Sequence, residues 1–347
     1  MTTRTFRNRL LASLTAGALV AAAGPACAID QAMIAAAKKE GEVVWYTTLI
    51  VNQLVRPMVD AFEKKYGVKV RYTRANSTVT TTKVLSEAKA GRIVGDVHDG
   101  TDGIETLKHA GVVEHWMPDN WKDYPPEYRD ADGYWIATHV YFYSPGVNTQ
   151  MVAAKDRPKT YEDLLNPKWK GKMAWAATST SSGAQGFIGN ILISMGQEKG
   201  MDYLRKLAAQ KIINASGSAR QVLDNVIAGE YPIALQIFNH HTIISAKQGA
   251  PVDWIKMEPL GSTVNTIAVV KGSPHPNAAK LLISYMVSLE GQKVFQKAGY
   301  LPANPDVPAA VPALKPKEGH FKANVLTQKM LDTELPKWEK IFNELFR

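Results

Sequence analysis

Thr178-Ser179-Thr180-Ser181-Ser182 places five hydroxyl side chains in a row, followed by Gly183 and an amphipathic stretch. One Ser or Thr is enough to cap a helix. Five exceed that need, and the free amides and dipole of a helix N-terminus attract an anion. Ser181, Ser182 and Gly183 are therefore the expected contacts, with Gly183 leaving room for close backbone approach. Three further polar clusters follow apolar runs: Thr47-Thr48, Asn76-Ser77-Thr78 and Asn239-His240-His241. Arg220 follows Ser218 at a second helix start, where a guanidinium either pairs with a carboxylate or phosphate or lies solvated on the helix face. Tyr141 and Tyr143 alternate on one face of an apolar run, and either meet a ligand or pack beside it.

His240-His241 admits three readings: metal ligands, anion contacts or structural rings. Adjacent residues on a regular strand point to opposite faces, so both rings reach one ligand only if the strand has ended. Neutral imidazole suits Zn, Cu, Ni or Fe(II) better than Fe(III). Contact with an anion predicts tighter binding as pH falls through about 6.5, and metal ligation predicts the reverse. His98 with Asp99 forms another candidate metal pair, and Asp102 follows; an Asp-Gly turn is the commoner meaning. Ser86-x-x-Lys89 has the spacing of a nucleophile pair, but no companion motif accompanies it. There is no Gly-x-Ser-x-Gly, His-Glu-x-x-His or Gly-x-x-x-x-Gly-Lys. An enzyme is not expected, a secreted hydrolase being the rival class, and no cofactor is expected.

The elements that must position these groups alternate between apolar runs and amphipathic stretches, the pattern of an α/β protein. Val43 to Tyr46, Val68 to Tyr72 and Gly95 to Val97 read as strands, each followed by a small polar loop and a helix. Ligands of such sheets sit beyond the carboxyl ends of the strands. Trp135 to Tyr143 reads as a long strand ending at Ser144-Pro145-Gly146, Ile233 to Phe238 as a strand ending at the histidines, and Ala278 to Ala298 as one long helix. The sheet is expected to be mainly parallel, with helices on both faces.

The chain has 347 residues, 45% hydrophobic and 21% charged, with a net charge of +9. That composition excludes a mainly disordered or polytopic membrane chain. Basic and acidic residues are interleaved, and no nucleic-acid partner is expected. Arg4, Arg7 and Arg9 precede an apolar stretch and Ala26-Cys27-Ala28, which predicts a signal peptide over 1–28, a mature start at Ile29 and export to a bacterial periplasm. Cleavage removes Cys27, the one cysteine, so neither a disulfide nor a thiol nucleophile is expected.

The late segment Ile267-Ala268-Val269-Val270-Lys271-Gly272-Ser273-Pro274-His275-Pro276 resembles the type II periplasmic solute-binding proteins of ABC importers, and within them the ferric-iron-binding and small-anion-binding cluster. Phe62-Glu63-Lys64-Lys65-Tyr66-Gly67, Gly95-Asp96-Val97 and Gly229-Glu230-Tyr231-Pro232 carry the same resemblance, in the family's order. It implies two α/β lobes joined by a two-strand hinge: 29–138 and 266–347 in the first lobe, 139–265 in the second. It also implies a ligand between closing lobes, membrane permease subunits as partners, and a monomer. In the iron-binding relatives a Tyr-Tyr pair follows an Asn at the position of His240-His241. Together with the missing first-lobe carboxylate, this points to a small organic or phosphate-type anion, with a metal held by His240 and His241 as the alternative.

Overall fold

The computed structural model describes residues 1–2 and 30–347. The expected cleavage point and nearly all of the expected leader lie outside the described residues. No helix among the described residues is long and apolar enough to cross a membrane.

In chain order the strands are β1 Glu42–Thr47, β2 Lys69–Arg74, β3 Val97–Gly100, β4 Ile136–Asn148, β5 Met173–Ala176, β6 Ile213–Ala215, β7 Ile233–Phe238, β8 Val252–Trp254, β9 Leu260–Val269, β10 Leu301–Pro302 and β11 Ala323–Val325. They form one sheet in the order β2-β1-β3-β9-β4-β7-β5-β6. At one end β1 runs parallel to β2 and β3; at the other β5 runs parallel to β6 and β7. The two ends meet through β4 and β9, which pair antiparallel from Ile136↔Ile267 to Tyr143↔Gly261. The outer half of β9 pairs with β3, and the outer half of β4 with β7 and β8. Each long strand thus belongs to both lobes, and the pair forms the hinge. Parallel pairing otherwise falls on the flanks, because the hinge strands carry the chain across and back; the short β11 runs parallel to the start of β9.

Local chemistry explains the departures from the sequence-based elements. β4 continues to Asn148 rather than stopping at Ser144-Pro145-Gly146, because a register shift between Ser144 and Gly146 accommodates a proline with no amide to donate. The late helix is two helices, Pro276–Val287 and Leu289–Lys297, separated where Ser288 caps the second by accepting from the Gly291 amide at 3.2 Å.

Each lobe has its own core. Trp45, Phe62, Ile267 and Tyr285 belong to the first, and Trp175, Phe187, Leu204 and Leu235 to the second. Assignment of all of 266–347 to the first lobe needs correction. The C-terminal helix Gln328–Leu345 gives Leu331, Trp338 and Phe342 to the second core. The helix Ala184–Met195 receives it: a Cβ on Gly189 would lie 2.5 Å from the Trp338 ring, so the indole seats only where a side chain is missing.

Candidate functional site

The carboxyl ends of β1, β2 and β3 deliver the first wall of a cleft between the lobes. Thr48 follows β1, Arg74 ends β2, Ser77 opens the helix Ser77–Lys89, and Thr101 follows β3. Asn76 caps that helix, its Oδ1 accepting from the Val79 amide at 3.0 Å. The opposite wall comes from two helix entries in the second lobe. Thr178, Thr180 and Ser182 precede the helix Ala184–Met195; Ser218 and Arg220 start the helix Ala219–Ile227. Tyr141 of the hinge, Tyr300 and His241 complete a cavity of about 60 Å³. In this conformation it suits a group of a few heavy atoms, and a bulkier ligand requires the lobes to part.

The cations of the cavity stand on opposite walls. Arg220 is held by two helices: on its own, Nη2 donates to Asp224 Oδ1 at 2.6 Å and Nε to Asp224 Oδ2 at 3.3 Å, and Nη1 donates to Ser245 Oγ of the helix Asn239–Lys247 at 3.1 Å. Arg74 makes no hydrogen bond or ion pair with a side chain among the described residues. The carboxylates beside the cavity are already engaged. Asp99 is fully buried and accepts from Trp45 Nε1 at 2.7 Å and from both the amide and hydroxyl of Thr48 at 2.9 Å. Asp102 accepts from the Thr101 hydroxyl at 2.6 Å and, across the cleft, from the Ser181 amide at 3.0 Å. Burial pushes both carboxyls up, and these donors pull them partly back.

The cavity gathers only some of the expected contacts. Thr48, Ser77, Tyr141, Ser182, Arg220 and His241 line it; Thr47, Thr78, Ser181, Gly183, Asn239 and His240 do not. Thr47 turns inward and its hydroxyl accepts from the Leu49 amide at 3.1 Å. Thr78 is exposed, in a second groove. Ser181 gives its amide to Asp102, and its hydroxyl lies 3.0 Å from the Tyr143 hydroxyl. The Gly183 amide donates to the Thr180 carbonyl at 3.0 Å, so it is not free for a ligand. A Cβ there would fall 2.2 Å from the Thr178 carbonyl, so the glycine serves the turn itself. Thr178, Thr180 and Ser182 of the run, rather than these two amides, line the cavity. Asn239 is buried, with Nδ2 donating to the Leu314 carbonyl at 3.1 Å.

The histidine pair does not end a strand; it lies in the first turn of the helix Asn239–Lys247. Successive helical residues diverge by about 100°. His241 therefore meets the cavity while His240 turns back beneath Tyr141, ring centroids 5.7 Å apart and nearly parallel. Neither ring has a hydrogen-bond partner among the described residues. Burial, aided by the Arg220 guanidinium, lowers His240 to about 3. Burial likewise holds His241 well below its usual range, with His240, Arg220, His139 and Arg74 adding to the effect. Both rings are thus neutral at physiological pH, and titration in the free protein supplies no step near 6.5. His98 is buried and lowered to about 4 by burial. Among the described residues, no three His, Cys, Asp or Glu are arranged to hold a metal ion. Ser86 and Lys89 are exposed, away from the cavity.

The sequence reading missed Arg74, Thr101 and Tyr300. Arg74 was legible in principle, as a cation in the last position of an edge strand immediately before a polar helix cap. Tyr300 had no local signal, because the fold brings it from a distant segment.

Residues 100–323 match the family model described as "Bacterial extracellular solute-binding protein". The chain is 22% identical over 293 residues to the "Fe(3+)-binding periplasmic protein" of Serratia marcescens, covering 80% of this chain and 84% of that one. It is 21% identical over 297 residues to the "Putative 2-aminoethylphosphonate-binding periplasmic protein" of Salmonella typhimurium, covering 84% of each. The solved structure of the periplasmic binding protein AfuA from Actinobacillus pleuropneumoniae, with fructose-6-phosphate bound, superposes with a TM-score of 0.76 at 22% identity, over 88% of this chain and 98% of that one.

Proposed function

The chain belongs to the bacterial extracellular solute-binding proteins, the periplasmic binding components of ABC importers, and we propose that its own ligand is a small phosphoryl-type or organic anion clamped between the lobes. One observation carries the proposal: Arg74 from the first lobe and Arg220 from the second line one small cavity to which the described residues contribute no carboxylate. Guanidinium groups match oxyanions with paired N–H donors. Thr180 and Ser182, whose hydroxyls lie 3.2 Å apart, add polar groups beside them. Tyr141 and Tyr300 add phenols that burial keeps protonated, hence able to donate.

The names of the relatives offer ferric iron as the second ligand class. A trivalent cation needs anionic oxygen donors. Two guanidiniums and a neutral imidazole supply none, and burial keeps the Tyr141 and Tyr300 phenols protonated, so the donor set favours the anion. In this reading the protein is exported to the periplasm, works as a monomer, catalyses nothing, and passes its ligand to membrane permease subunits.

Because the two cations sit on different lobes, bridging them draws the lobes together about β4 and β9. Small-angle scattering with saturating inorganic phosphate is expected to show a smaller radius of gyration than the free protein, with one site by calorimetry. A profile unchanged by phosphate but compacted by ferric citrate contradicts the proposal.

A further inference from the structure

The cleft has a second electrostatic property, which rests on the anion reading and sharpens it. Three carboxylates bonded to cavity-lining residues are each turned to partners of the protein's own. Asp99 holds Thr48 and Trp45, Asp102 holds Thr101 and the Ser181 amide, and Asp224 holds Arg220. None of the three lines the cavity. A ligand ammonium entering there finds no counter-ion, loses water, and faces two guanidiniums of like charge. An uncharged hydroxylated group instead meets hydroxyl side chains able to both donate and accept.

We propose that the site discriminates against zwitterions and takes phosphoryl or phosphonyl anions whose organic part carries no positive charge. Specificity here comes from a missing counter-ion as much as from the attractive contacts. The competing possibility is an ammonium resting on the faces of Tyr141, Phe238 and Tyr300, which also line the cavity. A matched ligand pair separates the two: ethylphosphonate and 2-aminoethylphosphonate differ by the amine alone.

Calorimetric titration of the full-length exported protein is expected to give about tenfold tighter binding for ethylphosphonate than for 2-aminoethylphosphonate at pH 7.5. Equal or reversed affinities overturn the proposal while leaving the anion reading standing. If neither phosphonate nor inorganic phosphate binds while ferric citrate does, the anion reading fails and this proposal with it. A second arm installs the missing charge. Ser218 lines the cavity and caps its helix, accepting from the Gln221 amide at 3.4 Å. Asp caps as well as Ser, so Ser218→Asp preserves the helix start. It is expected to reverse the preference between the two phosphonates. A folded Ser218→Asp protein that keeps the wild-type preference also overturns the proposal.

Discussion

Arg74→Gln is expected to weaken phosphate or alkylphosphonate binding by roughly thirtyfold, since a hydrogen-bonded contact to a charged group contributes about 2 kcal/mol and each 1.4 kcal/mol is tenfold. The fold should not feel the change, because the side chain is exposed and bonds no other side chain among the described residues. Arg74 thus separates binding from stability more cleanly than Arg220, whose replacement also strands Asp224 and Ser245. Calorimetry for affinity and thermal unfolding for stability make the check. Unchanged affinity with an unchanged Tm removes Arg74 from the site, and the anion clamp with it.

The second large effect is acid lability of the unliganded protein. His98, His139, His240 and His241 are all buried, and desolvation holds each imidazole below its usual range. His98 is lowered to about 4 and His240 to about 3. In the unfolded chain they titrate near 6.5. Between those values the unfolded state binds more protons than the native state, so stability is full above about pH 6.5 and declines as pH falls. His98 and His240 each lose about 2 kcal/mol by pH 5, since every pH unit below 6.5 costs about 1.4 kcal/mol per histidine. His139 and His241 act with the same sign. Asp99 and Asp102 oppose it: their carboxyls are raised by burial, so the native state takes up protons first as the carboxylate range is approached. The four histidines outnumber the two carboxyls, so the net slope is expected to stay positive. Urea midpoints at pH 7 and pH 5 test this. A large fall is expected, with net proton uptake on unfolding, and equal midpoints contradict the assignment of neutral buried imidazoles.

Acid therefore acts on this protein through folding before it acts on the ligand. The sequence reading tied a histidine titration to anion contact because it put the pair at the end of a strand. Residue order could not show that the helix begins at Asn239 with the rings beneath Tyr141 and Tyr300. Long-range packing decides that, and it also decided the fate of Ser181 and Gly183. Both were expected to meet an anion, but Asp102 from the other lobe takes the Ser181 amide and the Thr180 carbonyl takes the Gly183 amide.

Other parts were legible because their causes are local. Gly67 ends the helix Arg56–Tyr66 with a φ of +70°, as its place after a run of helical periodicity implied. The alternation of Val43 to Tyr46 with the helix behind it placed Thr48 at the cleft. The apolar run before Ser144 likewise announced the hinge strand, although the sequence could not reveal the bulge that lets it pass Pro145. The C-terminal helix was misplaced for the opposite reason: its amphipathic pattern announces a buried face without saying which lobe buries it. Gly189 holds the answer, since its missing side chain makes room for Trp338.

Native mass spectrometry tests the anion clamp most directly, because it weighs whatever the exported protein carries without a prior choice of ligand. The comparison is between wild type and the double variant Arg74→Gln/Arg220→Gln, each purified from the periplasm without refolding. A single adduct of a small anion on the wild type, absent from the folded double variant, is the expected result. An iron-bearing adduct on the wild type, or the same anion retained at equal occupancy by the double variant, contradicts it.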